Sequence, residues 1–289
     1  MQAPPRLDPL ISSQELASRL GDSNLRLCDT TVYLRAEPSG RLKAQSGRAD
    51  YTAGHIPGAV FVDLLDDFAA PHATLKFMLP TAGQFAHGIA ALGITSDHEV
   101  IFYNTGPTWW STRAWFMFRE FGFESVRVLD GGLDLWLRQG LPVTNAESRF
   151  VPTAAVPVTR RGFFVEKADV IAALADTGTI LLNALSAEQH AGRGGTYARR
   201  GHITGSRNLP ATTLYDDAGC FQAHDALAAR FADAGIHSQL RCINYCGGGI
   251  SATTLAFAQC LLGWDKVQIY DGSLSEWAGD PDLPMATAD

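Results

Sequence analysis

The chain has little positive charge and no long apolar segment. Its 23 lysines and arginines face 30 aspartates and glutamates, and the net charge is -7. Nucleic-acid surfaces need clustered cations, so we expect no nucleic-acid partner. No stretch approaches about 18 uninterrupted apolar residues, and the first residues lack the apolar core of a signal peptide. We therefore expect a cytoplasmic protein with no membrane association.

Cysteine is scarce and irregularly spaced. The five cysteines are Cys28, Cys220, Cys242, Cys246 and Cys260. This odd-numbered set contains no Cys-x-x-Cys pair, and no histidine stands at a spacing typical of zinc ligands. We expect reduced thiols and no bound metal.

The sequence does contain an internal repeat. Gly-His-Ile-Pro-Gly-Ala at residues 54–59 is matched by Gly-His-Ile-Thr-Gly-Ser at 201–206, and Val-Arg-Val-Leu-Asp-Gly-Gly at 126–132 by Val-Gln-Ile-Tyr-Asp-Gly-Ser at 267–273. Because order and spacing are kept, a duplicated unit of about 130 residues explains the matches. We predict domains at residues 1–145 and 161–289, joined by a proline-punctuated linker at 146–160.

Each repeat alternates short apolar runs with longer segments of helical periodicity. The runs at 25–28, 100–103, 126–129 and 179–182 predict buried strands; the segments at 12–20, 81–92, 111–121, 166–174 and 253–262 predict helices. Alternation of this kind predicts an α/β fold, with a mainly parallel sheet and helices on both faces in each repeat. Ligands of such sheets bind at the carboxyl ends of strands.

The second repeat carries a cysteine at that kind of position. Cys-Gly-Gly-Gly-Ile-Ser at residues 246–251 follows an apolar run and precedes a helical segment. Glycines let successive N–H groups turn inward, and the helix points its positive end at the same place. The pattern favours a thiolate nucleophile at Cys246, although a structural turn beside an inert cysteine has the same local pattern.

The first repeat lacks this loop. Asn104 stands where the second repeat has Cys246, and the bulky Trp109 and Trp110 follow where small residues would be needed. The first repeat is therefore predicted to be inactive.

Two further segments resemble signatures of the rhodanese family. They are Tyr-Thr-Ala-Gly-His-Ile-Pro-Gly-Ala at 51–59 and Tyr-Asp-Gly-Ser-Leu-Ser-Glu-Trp at 270–277. With the duplication and the cysteine loop between them, they make the chain similar to tandem-domain sulfurtransferases of the thiosulfate and 3-mercaptopyruvate type. The resemblance implies two rhodanese-like domains, the first degenerate and the second carrying a cysteine that forms a persulfide.

The resemblance also implies a mechanism. Cys246 would take the outer sulfur of a donor, hold it as a persulfide and pass it to a thiophilic acceptor such as cyanide, a thiol or a thioredoxin-like protein, without any cofactor. Backbone N–H groups of the loop would stabilise the negative charge on sulfur. The loop residues are Gly247, Gly248, Gly249, Ile250 and Ser251.

The sulfur donor stays open between thiosulfate and 3-mercaptopyruvate. Relatives often carry Asp-x-Arg and a further arginine where this chain has Asn-Ala-Leu at 183–185 and then Gln189. A donor anion would then have to meet another cation, and the candidates are Arg193, Arg199 and Arg200, which are equally consistent with a solvated basic loop. By resemblance, Asp50 and His55 would contribute from the first domain, although the matching Gly-His-Ile segment at His202 favours a structural turn role for His55. Arg113 would brace the domain interface.

Two other functions are weighed against sulfur transfer. Rhodanese-fold phosphatases end a larger loop with an arginine that clamps phosphate, and this chain has Ala252 at that position, which argues against phosphatase activity. A non-catalytic rhodanese-type binding or regulatory module would keep the fold without the chemistry. The intact loop at Cys246 favours the enzyme.

Overall fold

The computed structural model describes residues 7–38, 42–71 and 74–288. Within these residues, two five-stranded parallel sheets form the centres of the two repeats. None of the helices there has the length and apolar character needed to cross a bilayer. The strands of the first repeat's sheet are β1 (Leu10–Ile11), β2 (Leu25–Asp29), β5 (Ala59–Phe61), β6 (Glu99–Tyr103) and β7 (Val126–Leu129). Those of the second are β8 (Phe164–Val165), β9 (Thr179–Asn183), β11 (Arg207–Asn208), β12 (Arg241–Tyr245) and β13 (Val267–Tyr270).

Both sheets have the same strand order. The first is β1-β7-β6-β2-β5, and the second, taken from the corresponding edge, is β8-β13-β12-β9-β11. All neighbours within each sheet run parallel. The duplication predicted from short sequence matches is thus visible as a duplicated topology.

Helices connect and cover the strands. They are α1 (Ser13–Ala17), α2 (Arg48–Ala53), α3 (Ala82–Ala91), α4 (Trp109–Glu120), α5 (Gly132–Arg138), α6 (Lys167–Ala173), α7 (Ala187–His190), α8 (His224–Asp233), α9 (Ala252–Leu261) and α10 (Ser273–Trp277), with a 3-10 turn at Ala211–Leu214. Several begin where a hydroxyl accepts a free backbone N–H. Ser12 Oγ accepts from Glu15 N at 3.1 Å, and Thr81 Oγ1 from Gln84 N at 3.2 Å.

Two short antiparallel pairs lie outside the main sheets. β3 (Val32–Ala36) pairs with β4 (Leu42–Ser46), and β10 (His202–Ile203) pairs with β14 (Met285–Ala286). The first repeat replaces the second pair by a single bridge between His55 and Thr144. Residues 145–163 contain no helix or strand, and the boundaries predicted for the two domains and their linker stay a prediction.

The two repeats pack through equivalent helices. α4 follows the central strand of the first sheet and lies against α9, which follows the central strand of the second. Trp115 meets Phe257 edge to face at 5.0 Å, and the hydroxyls of Thr112 and Thr253 are 2.8 Å apart. One buried apolar cluster runs through both repeats. The loops that begin these two helices therefore lie beside the interface, and Cys246 stands in one of them.

Candidate active site at Cys246

Cys246 is the first residue after the central strand β12 of the second sheet. It is buried, with only 3% of its surface exposed. Residues 246–251 connect it to the start of α9 without any other regular element. The cysteine therefore stands at the carboxyl end of a central parallel strand, where ligands of such sheets bind.

Four N–H groups of this loop make no hydrogen bond within the described part of the chain. Among the residues that the structure describes, no acceptor is bonded to the N–H of Gly247, Gly248, Ile250 or Ser251. Consecutive amides without acceptors at a helix start form an anion-binding concavity. The loop can therefore stabilise a negative charge without any side-chain cation.

The remaining two loop amides bind a serine. Cys246 N and Gly249 N both donate to Ser273 Oγ, each at 3.1 Å, and Ser273 Oγ donates to Tyr270 O at 2.8 Å. Gly249, predicted to bind the anion through its N–H, thus uses that group to hold the loop. Ser273 has a positive φ of 49°, which is unusual for a residue with a side chain. The sequence-based reasoning missed Ser273, because its contacts depend on that backbone conformation.

The backbone of α10 holds the loop from the other side. Leu274 N donates to Cys246 O at 3.1 Å, and Ser275 binds Gly247 O through both its N–H at 2.8 Å and its hydroxyl at 2.6 Å. These bonds occupy the carbonyls that precede the free amides. The loop is thereby fixed with its carbonyls engaged and its N–H groups available.

A buried ion pair between the two repeats supports Gly249. Arg113, on α4, donates to Gly249 O at 3.2 Å and to Asp271 Oδ1 at 2.6 Å. Arg113 also donates to Phe77 O, and Asp271 Oδ2 accepts from Leu79 N at 2.8 Å. The interface role that the sequence predicts for Arg113 agrees with these contacts. Asp271, which lies in the repeated segment 267–273, is its counter-ion.

Gly249 cannot be replaced without moving this pair. Its φ is +72°, and a Cβ built there would lie 2.7 Å from Asp271 O and 3.3 Å from Arg113 Nη1. Both the backbone conformation and the crowding require glycine.

Two aromatic side chains cover the loop. A Cβ on Gly247 would overlap the hydroxyl oxygen of Tyr197, whereas one on Gly248 would be in ordinary contact with the Phe77 ring at 3.4 Å. Phe77 comes from the first repeat and packs on Trp110. Burial, and then the nearby Cys246 charge, raise the pKa of Tyr197 well above its usual value, so the phenol is neutral.

The three predicted donor-binding arginines have different surroundings. Arg199 donates to the carbonyls of Ala278 at 3.1 Å, Leu283 at 2.8 Å and Trp277 at 3.1 Å, and to that of Asp280. Its guanidinium is therefore engaged by the C-terminal segment, and its role in binding a donor anion stays a prediction without support from these contacts. Arg193 and Arg200 are exposed in the segment that carries Tyr197, and their role stays a prediction.

The two predicted contributors from the first domain do not bond to the loop. His55 is buried, stacks on Tyr51 at 4.0 Å and places Nδ1 2.7 Å from Tyr51 O. Asp50 is exposed on α2. Within the described ranges, neither makes a hydrogen bond or an ion pair to residues 246–251. Their participation stays a prediction without support from these contacts.

Other thiols differ from Cys246 in their surroundings. Burial raises the pKa of Cys242 to about 12, and burial followed by the charge of Asp130 raises that of Cys220 to about 12. Burial raises the pKa of Cys28 further still. These three thiols stay protonated at neutral pH and are poor nucleophiles.

Comparisons with known proteins agree with this architecture. The family model of the rhodanese-like domain matches residues 12–139 and 167–280. The 3-mercaptopyruvate sulfurtransferase of Escherichia coli K12 is 34% identical over 95% of this chain and 96% of its own, and the thiosulfate sulfurtransferase of Cricetulus griseus is 31% identical over 93% and 91%. The crystal structure of SseA, a 3-mercaptopyruvate sulfotransferase from Escherichia coli, superposes with a TM-score of 0.82 at 29% identity, covering 93% of this chain and 99% of that one.

Proposed function

The chain belongs to the rhodanese family of tandem-domain sulfurtransferases, and from this premise we propose that Cys246 carries the transferred sulfur as a persulfide. The enzyme thus takes sulfur from a donor and gives it to an acceptor. The proposed acceptors are those suggested by the sequence: cyanide, a thiol or a thioredoxin-like protein. The cytoplasmic location predicted from the sequence is part of the same proposal.

One observation carries the assignment of Cys246. Among the residues that the structure describes, the N–H groups of Gly247, Gly248, Ile250 and Ser251 have no acceptor, and they belong to the loop that begins at Cys246. In a persulfide the negative charge lies on the outer sulfur, and fixed amides with no other acceptor stabilise it without reorganising. α9 adds the positive end of its dipole at Ala252.

We propose 3-mercaptopyruvate as the preferred donor over thiosulfate. Among the described residues, the hydrogen bonds and ion pairs of the loop include one cation, Arg113, and Asp271 neutralises it at 2.6 Å. A dianionic donor gains little from such a site, because its second charge meets no counter-ion. A keto thiol presents a neutral carbonyl beside its sulfur, which suits a site of amides and aromatic groups.

A comparison of the two donors tests this preference. With cyanide or a dithiol as acceptor, we expect kcat/KM for 3-mercaptopyruvate to exceed that for thiosulfate by at least about tenfold, a difference of about 1.4 kcal/mol in the transition state. The reverse order would overturn the assignment of the donor while leaving sulfur transfer itself intact.

A further inference from the structure

The hydroxyl of Tyr197 occupies the place where a side chain at position 247 would lie. A Cβ built on Gly247 would overlap this oxygen and come within 3.0 Å of the ring carbon that bears it. The phenol therefore touches the residue directly after Cys246. Gly247 and Tyr197 together form one wall of the site, with the glycine providing the space and the tyrosine the polar group.

The segment around Tyr197 is held firmly. Two residues further on, Arg199 bonds to four carbonyls of residues 277–283, immediately after α10 and at its end. The ring packs against the buried apolar cluster of the second repeat, and a Cβ built on Gly195, whose φ is +82°, would lie 3.4 Å from it. The same α10 holds the cysteine loop through Ser273 and Ser275. The Tyr197 segment and the cysteine loop are thus both bonded to α10 or to the residues that directly follow it.

The hydroxyl of Tyr197 differs in its bonding from those of other tyrosines. In the part of the chain that the structure describes, it makes no hydrogen bond. Other tyrosine hydroxyls are bonded: Tyr51 to Ala59 O, Tyr103 to Ile56 N, Tyr215 to Thr108 Oγ1, Tyr245 to Ser206 Oγ and Tyr270 to Glu276 Oε2. A neutral phenol that is half-buried beside a nucleophile and lacks a partner is suited to donate to a ligand.

Building on the proposed function, we propose that Tyr197 binds the sulfur donor by donating its hydroxyl hydrogen to the carbonyl oxygen of a keto thiol. In 3-mercaptopyruvate this oxygen gains negative charge as the neighbouring sulfur leaves. Tyr197 then sets donor specificity through its neutral hydroxyl. The guanidinium of Arg113, which bonds to the loop, already has Asp271 as its counter-ion.

The step balances with the groups present. The Cys246 thiolate attacks the sulfur of 3-mercaptopyruvate, an S–S bond forms, and the C–S bond breaks with its electron pair passing through carbon to the carbonyl oxygen as an enolate. The thiol proton of the donor is transferred to the enolate carbon, so that pyruvate leaves and the persulfide anion remains. Tyr197 keeps its proton and stabilises the enolate oxygen by a charge-assisted hydrogen bond.

Two rates on the same protein test this role. We would measure single-turnover persulfide formation from 3-mercaptopyruvate and alkylation of Cys246 by iodoacetamide, which needs no oxyanion stabilisation. Tyr197→Phe should slow sulfur transfer by about 10- to 100-fold, the effect expected when one hydrogen bond to a charged group is lost, and leave alkylation unchanged. Tyr197→Met, which keeps an apolar side chain, should show the same selective loss.

Tyr215→Phe is the matched control. It also removes one tyrosine hydroxyl, but from a bond with Thr108 beside the inactive loop, and it should leave both rates at the wild-type level. If Tyr197→Phe transfers sulfur like the wild type, or if both of its rates fall equally, the role of Tyr197 is refuted and the proposed function stands. If the wild type gains no sulfur on Cys246, the proposed function fails, and the proposal fails with it.

Discussion

The loops that follow the two central strands have the same place in the fold but differ in the polar groups that they present. In the second repeat, α10 engages the carbonyls of Cys246 and Gly247, and four loop N–H groups have no acceptor among the residues that the structure describes. In the first, Asn104 Nδ2 donates to Thr105 O at 2.8 Å and Pro107 O at 2.9 Å, and its Oδ1 accepts from Ser111 N at 3.1 Å and Ser111 Oγ at 2.5 Å. The Asn104 side chain thus makes hydrogen bonds within its own loop, including bonds to carbonyls that would repel an anion.

The comparison shows that the duplicated fold supplies a position, and the loop residues decide what that position binds. Gly132 and Ser273 are equivalent, since Leu133 N donates to Asn104 O just as Leu274 N donates to Cys246 O. In the second repeat the serine hydroxyl holds two loop amides. In the first, a Cβ on Gly132 would lie 2.5 Å from Asn104 O, so no side chain fits.

The largest effects are expected when Cys246 and Asn104 are each replaced by the residue at the equivalent position of the other repeat. Cys246→Asn should lower sulfurtransferase turnover by at least about 10³-fold, because the nucleophile is lost. Asn104→Cys should gain no sulfur on residue 104, since the neighbouring carbonyls disfavour a thiolate and Pro107 has no N–H. Mass spectrometry of each variant after incubation with donor is the measurement. A persulfide at position 104 of the Asn104→Cys variant would show that position alone suffices.

Asp130 and Asp271 are equivalent in the two repeats, and substitutions of them provide the next test of the difference between the repeats. Asp271→Asn should lower the free energy of unfolding by about 3 kcal/mol, because it leaves the buried Arg113 guanidinium without a counter-charge. Denaturant unfolding at pH 7 measures this change. A loss below about 1 kcal/mol would mean that the pair contributes little to the interface.

The equivalent substitution in the first repeat, Asp130→Asn, should raise the free energy of unfolding instead of lowering it. Burial raises the pKa of Asp130 from 3.8 to about 6, with Phe221 N donating to it as a smaller, opposing effect. The folded carboxyl therefore holds its proton where the unfolded one releases it, and stability falls as the pH rises from about 4 to 6. Asp130→Asn should raise the free energy of unfolding by about 2 kcal/mol at pH 7 and change it little at pH 4.

Unfolding curves of this variant at the two pH values check the sign. Equal effects at pH 4 and pH 7 would show that the ionisation of Asp130 is not the cause. Asp176→Asn is a suitable control, because that carboxyl is exposed and its pKa is lowered by the Thr179 hydroxyl rather than raised by burial.

The smallest effect is expected at the junction of the equivalent helices. Thr112→Val removes the hydroxyl that lies 2.8 Å from Thr253 Oγ1 between α4 and α9. Loss of one buried hydrogen bond should cost about 1 kcal/mol. Thermal unfolding would show a shift of a few degrees, and an unchanged transition would mean that this pair of hydroxyls does not stabilise the contact between α4 and α9.

The sequence allowed the duplication, the alternation of strands and helices, the family and the position of Cys246 to be predicted, because each depends on local patterns. The family match confirms the rhodanese resemblance, and the parallel sheets confirm the fold class. The short β3–β4 pair was missed, since its mostly exposed residues give no buried alternation.

The site beyond the loop could not be predicted in the same way. Arg113 and Asp271 are 158 positions apart, and Tyr197 meets Gly247 only because Arg199 fixes its segment to residues after α10. Such contacts depend on packing between distant segments, and the basic composition of residues 193–200 suggested anion binding instead. The bonds of Arg199 to backbone carbonyls could likewise not be predicted from the sequence.

Direct detection of sulfur on Cys246 is the measurement that tests the central claim. The protein would be incubated with excess 3-mercaptopyruvate, desalted, and analysed by intact-mass and peptide mass spectrometry beside Cys246→Ser. We predict the added mass of one sulfur atom on the peptide that contains residue 246, lost on treatment with cyanide and absent from the serine variant. An unmodified Cys246 peptide, or the same added mass in the serine variant, would contradict the account.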